Sequence, residues 1–215
     1  MAFEAVIFDM DGLLFDTETL GIQACIHAGK MQGIDVSRDV VLKTLGTTEA
    51  KSDSTYLAHY PSYQRERFWK DFSDWMVDYV DTHPLGIMPH AVELLEAVRA
   101  KEIKMGLCSG SPLKRVTLYL EKTGLRHYFD AMVTQDDGVP SKPAPDMFLL
   151  TAEKLQVPAE KCLVLEDSPN GLRAAHAAGM QAYMVPDQIA YQQEFGPFTT
   201  GVLSSLADAL PLLEG

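Results

Sequence analysis

The sequence predicts an α/β fold, in which a doubly wound parallel sheet carries an inserted helical domain. Two observations support this prediction. Five short apolar runs lack the alternation of half-exposed strands, and helix-length segments lie between the later runs, as in a sheet covered by helices on both faces. The stretch 15–84, in contrast, contains no convincing strand and has helical periodicity throughout. The α/β core is therefore interrupted after its first strand.

The predicted strands are short and mostly apolar, and they span residues 5–8, 105–108, 131–134, 162–165 and 182–185. Strands buried on both faces of a parallel sheet have this composition. Helix-length segments alternate with them at 89–103, 111–125, 145–157 and 168–180. This alternation is typical of a Rossmann-like sheet.

Capping residues in the sequence indicate where the helices begin and end. Ser111–Pro112 and Ser168–Pro169 each place a capping hydroxyl before a proline, which suits the first position of a helix. Gly124 and Gly179 stand where the following helices should stop. We therefore expect Ser111 and Ser168 to cap helices.

The inserted region contains four segments with helical periodicity, at 17–31, 38–45, 48–59 and 62–80. Its aromatic residues between 68 and 79 recur at spacings of three and four, which favours a core-facing helix stripe over a ligand cage. We expect a core formed by residues 1–14 and 85–215 and a helical cap domain formed by 15–84, with hinges at 13–16 and 83–86.

Composition excludes several classes of protein. The chain of 215 residues is 47% hydrophobic and 22% charged, enough for a packed core, which excludes a disordered or fibrous protein. Its net charge of -12 comes without a basic stripe, so we expect neither a nucleic acid nor a membrane as partner. Three widely spaced cysteines form neither a disulfide framework nor a zinc pattern, and no leader-like apolar run is present. We expect a cytoplasmic protein with reduced thiols, a monomer or weak homodimer.

Polar residues follow the predicted strands at the point where each strand ends. Asp9 and Asp11 follow the first strand, Ser109 the second, and Glu166 and Asp167 the fourth. The third strand is followed by Gln135, Asp136 and Asp137, with Lys142 a few residues further on. Open α/β sheets bind ligands at the carboxyl ends of their strands, so we expect these side chains to converge on one edge.

The converging carboxylates predict a divalent cation. Asp9 and Asp167 cannot both stay ionised at close range without a positive charge between them. Oxygen ligands with few carboxylates suit Mg2+, which shares its coordination with a phosphate. The cation and Lys142 together would let this acidic protein hold an anionic substrate.

The same residues suit phosphoryl transfer. Asp9 is a candidate nucleophile that would form an aspartyl-phosphate. Asp11, two residues on in a turn that Gly12 allows, is a candidate acid and base. Ser109 and Gly110 offer a hydroxyl and backbone N–H groups to phosphate oxygens, and Lys142 offers a charge to the transferring group.

Four segments resemble the motifs of the haloacid dehalogenase superfamily. In order they are "DMDG" at 9–12, the apolar strand that ends before Ser109, "SKPAPDMF" around Lys142, and "LEDSPNG" at 165–171. The insertion resembles the helical C1-type cap of the subgroup that contains beta-phosphoglucomutase and phosphoglycolate phosphatase. The resemblance implies Asp9 as nucleophile, Asp11 as acid and base, and Ser109 and Lys142 as phosphate-binding residues. It also implies Mg2+ held by Asp9, the Asp11 backbone carbonyl and Asp167, with Glu166 as a ligand or a neighbour of the ligands.

Within this resemblance, a phosphatase is favoured over two other activities. Dehalogenases lack the second aspartate of the first motif, which is present here as Asp11. The mutases carry a cap histidine, whose position is occupied here by Gly21, and a cap arginine, where Thr47 and Thr48 stand. We therefore expect hydrolysis of a small phosphorylated metabolite: a sugar, polyol, glycolate or nucleoside monophosphate.

The sequence is also compatible with other functions and roles. A phosphosugar mutase and a non-catalytic phosphate-binding module are rival functions. Asp16 is expected to cap the first inserted helix or to belong to a hinge rather than to act in chemistry. Asp136 and Asp137 are expected in a solvated loop, with a water-mediated metal contact as the minor alternative. Asn170–Gly171 is expected in the first turn of a helix beside the site.

Overall fold

The computed structural model describes residues 3–47 and 49–214, and its centre is a parallel sheet of six strands in the order β3-β2-β1-β4-β5-β6. The strands are β1 (Ala5–Phe8), β2 (Lys104–Cys108), β3 (Ala131–Val133), β4 (Cys162–Glu166), β5 (Gln181–Met184) and β6 (Gly201–Val202). β1 lies between β2 and β4, so the chain leaves its central strand in both directions. The predicted fold class is confirmed.

The five predicted strands are present, with ends that differ by at most one residue. β6 was not predicted because it has only two residues, too few for a periodicity. It pairs with the end of β5 at Tyr183 and Met184. Gly201 of β6 lies against the Tyr183 ring, where a Cβ atom would come within 2.7 Å of a ring carbon.

Eight α-helices accompany the sheet in the described part of the chain. α1 (Glu18–Met31), α2 (Arg38–Leu42), α3 (Glu49–His59) and α4 (Arg65–Thr82) form the insertion between β1 and β2. α5 (Ala91–Ala100), α6 (Leu113–Thr123), α7 (Asp146–Leu155) and α8 (Pro169–Ala177) flank the sheet. The predicted helical segments match these in order, except that Thr48, expected to begin the third, lies outside the described residues. None of these helices combines the length and the hydropathy that crossing a bilayer requires.

Three of the predicted helix boundaries are confirmed and one is wrong. Gly179, at φ 76°, follows the C-cap residue of α8 and stands where this helix stops. Ser168 caps α8, because its side chain accepts a bond from the Gly171 amide, and Gly124 ends α6 in the left-handed conformation at φ 74°. Ser111 does not cap α6, which begins two residues later at Leu113. The Leu113 amide donates instead to the Asp136 carboxylate, at 2.9 Å. This leaves the Ser111 hydroxyl available to the strand-end site.

Three apolar clusters hold the molecule together. One lies on each face of the sheet, and the third lies inside the insertion around Tyr56 and Phe68, whose ring centroids are 4.8 Å apart. Phe68 belongs to the predicted aromatic stripe of α4 and is fully buried. The three cysteines are buried free thiols, as predicted. Burial of the strands on both faces of the sheet explains why their sequences do not alternate.

The two connections between sheet and insertion lie side by side. The Asp16 amide donates to the Gly86 carbonyl at 3.0 Å, and Phe15 forms an antiparallel bridge with Ile87. The cap position of α1 is occupied by Thr17, whose side chain makes no capping bond, so the predicted capping by Asp16 is wrong. Asp16 is exposed within the connection, where its role as a hinge stays a prediction.

Gly106 generates a prediction about the core. It lies in β2 beneath α7, where an added Cβ would come within 2.6 Å of Thr151 Cγ2 and 3.0 Å of Leu155 Cδ1. We expect Gly106→Ala to lower the free energy of unfolding by about 1–3 kcal/mol, because the core must shift to admit a methyl group. Urea denaturation followed by circular dichroism measures this change.

The matched control is Gly21→Ala in α1, where an added Cβ has no neighbour within 4 Å. Alanine favours a helix over glycine by about 0.5–1 kcal/mol, so this variant should be as stable as the original chain or more stable. Equal stability of the two variants would contradict close packing of β2 against α7.

Candidate active site

The sheet brings every predicted site residue to one edge. Because β1 lies between β2 and β4, Asp9, Ser109 and Asp167 come directly after neighbouring parallel strands, at the same edge of the sheet and within one residue of the same level. All three are buried. Lys142 reaches this edge from the loop that follows β3.

The Lys142 ammonium lies at the centre of the site. It donates to Asp9 Oδ1 at 2.5 Å, to Glu166 Oε1 at 2.7 Å and to the Cys108 carbonyl at 2.9 Å. Its three N–H donors are therefore used. Burial lowers the pKa of Lys142, but the carboxylates of Asp9 and Glu166 outweigh burial and hold it well above its usual value. The lysine is a fixed positive charge.

Asp9 and Asp167 carry more negative charge than one lysine neutralises. Burial, opposed by Lys142 and reinforced by Glu166, raises the pKa of Asp9 to about 8. Burial and the Glu166 carboxylate also raise the pKa of Asp167 well above its usual value. No described residue donates a hydrogen bond to the Asp167 side chain. Both carboxylates therefore favour a further positive charge nearby.

The geometry fits a small divalent cation. Asp9, Glu166 and Asp167 each offer a carboxylate oxygen, and these oxygens lie within 4.8 Å of one another. An all-oxygen set of buried acids is the donor chemistry that suits Mg2+. The Asp11 carboxylate is not part of this group. Its predicted metal contact is through the backbone carbonyl and stays a prediction.

Glu166 is the least available of the three acids. Its Oε1 accepts from Lys142, and its Oε2 accepts from the Ser168 amide at 2.8 Å and from the Ser168 hydroxyl at 2.9 Å. Gly171, in the first turn of α8 as predicted, leaves the room for this carboxylate, since an added Cβ would lie 1.6 Å from Oε1. Glu166 therefore positions the lysine and the start of α8.

Asp11 is held by hydroxyl groups on the opposite side of the site. Its Oδ1 accepts from Thr17 at 2.8 Å, and its Oδ2 accepts from Ser111 at 2.8 Å and, more weakly, from Ser109 at 3.5 Å. Gly12, at φ +76°, makes the turn that directly follows Asp11. Asp11 thus faces the insertion while Asp9 faces Lys142.

Sequence reasoning missed Thr17 and Ser111. Ser111 had been assigned to helix capping on the strength of the proline that follows it, and Thr17 gave no signal beyond its position before a helix. Ser109 Oγ accepts from the Ser111 amide at 3.0 Å, which orders the turn after β2. Gly110 lines an opening that also exposes Lys142.

The acids after β3 have structural contacts. Asp136 accepts from the first amide of α6, and Asp137 bonds the Thr134 amide at 2.8 Å and Lys154 at 2.6 Å. Neither belongs to the oxygen group around Asp9. Both acids are solvent-exposed, as expected, but they lie in a single 3-10 turn, Gln135–Asp137, rather than in an irregular loop, and their contacts give no support to a metal contact.

A cavity of about 280 Å³ lies between the insertion and the sheet edge, beside Asp11. Gly21 and Thr47, the positions compared with the mutase residues, line it, while Thr48 lies outside the described residues. Two charged residues that sequence reasoning missed, Glu18 and Arg115, also line it. Their signal was weak, because an acid and a base in helices are usually solvent-exposed.

Comparisons with known proteins agree with this architecture. Residues 6–185 match the family model described as haloacid dehalogenase-like hydrolase. The chain is 31% identical to a phosphorylated carbohydrates phosphatase of Thermotoga maritima, over 98% of this chain and 90% of that protein. It is 33% identical to hexitol phosphatase B of Escherichia coli O157:H7, over 95% of this chain and 93% of that protein.

A solved structure shares the fold. The crystal structure of a beta-phosphoglucomutase from Clostridium difficile matches with a TM-score of 0.79 and 26% identity, over 95% of this chain and 92% of that one. The predicted resemblance and the prediction of a hydrolytic enzyme are thus confirmed. The chain belongs to the haloacid dehalogenase-like hydrolases.

Proposed function

We propose that this chain is a Mg2+-dependent phosphatase of a small phosphorylated metabolite and acts through an aspartyl-phosphate on Asp9. The observation that carries the proposal is the separation of two carboxylates that stand two residues apart. Asp9 faces Lys142 and Asp167, whereas Asp11 faces the cavity and is bonded by hydroxyls. This separation supports Asp9 as the nucleophile and Asp11 as the general acid and base.

The reaction would proceed in two displacements. An Asp9 carboxylate oxygen attacks phosphorus, the bond between phosphorus and the ester oxygen breaks, and Asp11 donates its proton to the departing alcohol. Asp11 then takes a proton from water, whose oxygen attacks phosphorus and releases inorganic phosphate and the Asp9 carboxylate. Thr17, Ser111 and Ser109 fix the Asp11 carboxylate for both steps.

Charge is supplied by the lysine and the cation. Lys142 is oriented by Glu166 and stands beside Asp9, where it would pair with oxygens of the transferring phosphoryl group. Asp9 and Asp167, with the Asp11 carbonyl, would hold Mg2+, with Glu166 bonded behind them. When bound, Mg2+ adds positive charge for phosphate oxygens that Lys142 alone does not neutralise.

The cavity supports a small substrate. Its volume of about 280 Å³ is near the lower end of the about 300–1,000 Å³ usual for ligand pockets. The relatives named above act, by name, on phosphorylated carbohydrates and hexitols. A sugar, polyol, glycolate or nucleoside monophosphate is the proposed range.

A phosphosugar mutase is the second candidate, since a solved beta-phosphoglucomutase shares the fold. A mutase must hold its bisphosphate through a second phosphate in the cap. Among the described residues that line the cavity, Arg115 is the sole cation, and it comes from α6 of the core.

We expect glucose 1-phosphate to yield free phosphate rather than glucose 6-phosphate, as measured by coupled assays of both products. Conversion to the 6-phosphate with little free phosphate would establish the mutase instead.

Asp9→Asn tests the covalent mechanism. We expect it to lower Mg2+-dependent release of phosphate from p-nitrophenyl phosphate by at least about a thousandfold, because the nucleophile is lost. Asp11→Asn should lower it by about 10²- to 10⁴-fold, the usual contribution of an acid or base. Asp16→Asn, the same change at the exposed third aspartate, is the control and should leave the rate within about twofold. An Asp9→Asn variant with nearly the original rate would eliminate the proposed nucleophile.

The affinity for Mg2+ should decrease as the pH is lowered. The pKa of Asp9 in the metal-free protein is raised to about 8, so below that pH a cation must displace a proton from the carboxylate. We expect the apparent Mg2+ affinity to fall by at least about tenfold for each pH unit below about pH 8, because the raised pKa of Asp167 adds a second proton for the cation to displace. Isothermal titration calorimetry measures the affinity and the protons released. In Asp9→Asn this slope should weaken, and an affinity independent of pH in the original chain would exclude Asp9 as a ligand.

A further inference from the structure

The cavity beside Asp11 contains an acid that the phosphoryl-transfer chemistry does not use. Glu18 is the first residue of α1, and its side chain lies against Gly12, where an added Cβ would come within 3.0 Å of Glu18 Cγ. It is half-buried and lines the cavity. No described residue donates a hydrogen bond to its carboxylate. A carboxylate in this position accepts hydrogen bonds from whatever occupies the cavity.

A base on the core side of the same cavity is also incompletely bonded. Arg115 stands in the first turn of α6, with Nη1 3.3 Å from the Ser111 hydroxyl and its guanidinium 5.5 Å from the Phe72 ring centroid. Its Nε is buried and has no partner among the described residues. The hydroxyl of Tyr119, one helical turn further on, is likewise buried and unpartnered. Buried polar groups are normally hydrogen-bonded, so the Arg115 Nε–H and the Tyr119 hydroxyl on this face of α6 are unused donors among the described residues.

Together the two residues are complementary to hydroxyl groups. A hydroxyl donates one hydrogen bond and accepts others, so adjacent hydroxyls can donate to Glu18 and accept from Arg115. The rest of the lining suits a carbon chain that carries hydroxyl groups. Thr44, Thr47 and Ser52 have hydroxyl side chains, and Trp69, Phe72 and Met76 form an apolar wall.

The charge of the cavity opposes a second anionic group. The charged residues that line it are Asp11, Glu18 and Arg115, two acids and one base. Burial raises the pKa of Glu18 to about 7, with further increases from the carboxylates of Asp11 and Asp187. A substrate carboxylate or second phosphate would be repelled by Glu18 in its ionised form, and Arg115 is the one cation that it would meet among the described residues that line the cavity.

We propose that Glu18 and Arg115 form a hydroxyl-binding subsite, which selects the monophosphate of a neutral sugar or polyol and disfavours phosphoglycolate and bisphosphates. The proposal rests on the proposed phosphatase function, and it adds the class of the leaving alcohol. The subsite would bind the alcohol portion of the substrate, not its phosphate.

The first test is a comparison of substrates with the full chain and Mg2+. We expect kcat/KM for sorbitol 6-phosphate to exceed that for phosphoglycolate and for fructose 1,6-bisphosphate by at least about tenfold. A preference for phosphoglycolate, the bisphosphate or a nucleoside monophosphate would overturn the subsite. Failure to hydrolyse even p-nitrophenyl phosphate would instead refute the phosphatase function, so the two failures are distinguishable.

The second test uses variants and a ratio. Glu18→Gln and Arg115→Met should each lower kcat/KM for sorbitol 6-phosphate by about tenfold to a hundredfold, as expected when a hydrogen bond to a charged group is lost. The aryl phosphate has no hydroxyl groups to bind, so the ratio of kcat/KM for sorbitol 6-phosphate to kcat/KM for the aryl phosphate should fall by the same factor, about tenfold to a hundredfold. An equal loss on both substrates would show a general disturbance of the site and overturn the proposal.

Matched controls separate the subsite from surface charge. Glu66→Gln and Lys114→Met remove the same charges at exposed positions on α4 and α6 and should leave both substrates unchanged. Circular dichroism and thermal melting establish that each variant is folded. If one subsite variant does not fold, the other variant and the substrate comparison still decide the proposal.

Discussion

The structure depends on one buried ammonium group. Lys142 is bonded by Asp9, Glu166 and the Cys108 carbonyl, and it thereby ties the loop after β3 to the ends of β1, β2 and β4. Breaking a buried ion pair leaves an uncompensated charge and costs about 3–5 kcal/mol, so the lysine stabilises the edge at which it would act. Yet one cation cannot neutralise three acids, and this imbalance is what suits the edge to a metal and a phosphate. Lys142 thus stabilises the strand ends and, in the proposed function, would also bind the anionic substrate.

The position of each acid decides what it can do. Asp9, Asp11, Glu166 and Asp167 differ little as isolated carboxylates, but their partners separate them. Glu166 has both oxygens bonded and can only exist beside a glycine at 171. Asp167 has no donor from described residues, and Asp11 is bonded only by hydroxyls, which can reorient as its charge changes. The chemical differences between the four carboxylates therefore come from their hydrogen-bond partners.

Much of this arrangement could be predicted from the sequence, for reasons that are physical. Buried parallel strands are apolar and unalternating, so β1 to β5 were found to within a residue, and the rule that ligands bind at strand ends then located Asp9, Ser109, Lys142 and Asp167. The prediction that Ser111 caps α6 was wrong because a serine before a proline can either cap a helix or bond elsewhere. The Asp136 carboxylate, 25 residues away in the sequence, accepts from the first amide of α6 instead. Glu18 and Arg115 were missed because helical periodicity says which face is apolar, not which polar residue meets a cavity. Two-residue β6 carries no pattern at all.

The two connections tied together by Asp16 and Gly86 have a mechanical consequence. If they are the hinges that the sequence predicts, these adjacent connections would act as one pivot, and the inserted helices would turn against the sheet together. Thr17 and Glu18 begin the first of these helices, directly after that pivot, and Thr17 bonds Asp11. Any rotation that withdraws Glu18 from the cavity therefore also withdraws the Thr17 hydroxyl from Asp11. In the proposed mechanism, recognition of the alcohol by Glu18 and positioning of the Asp11 carboxylate would then depend on the same rotation.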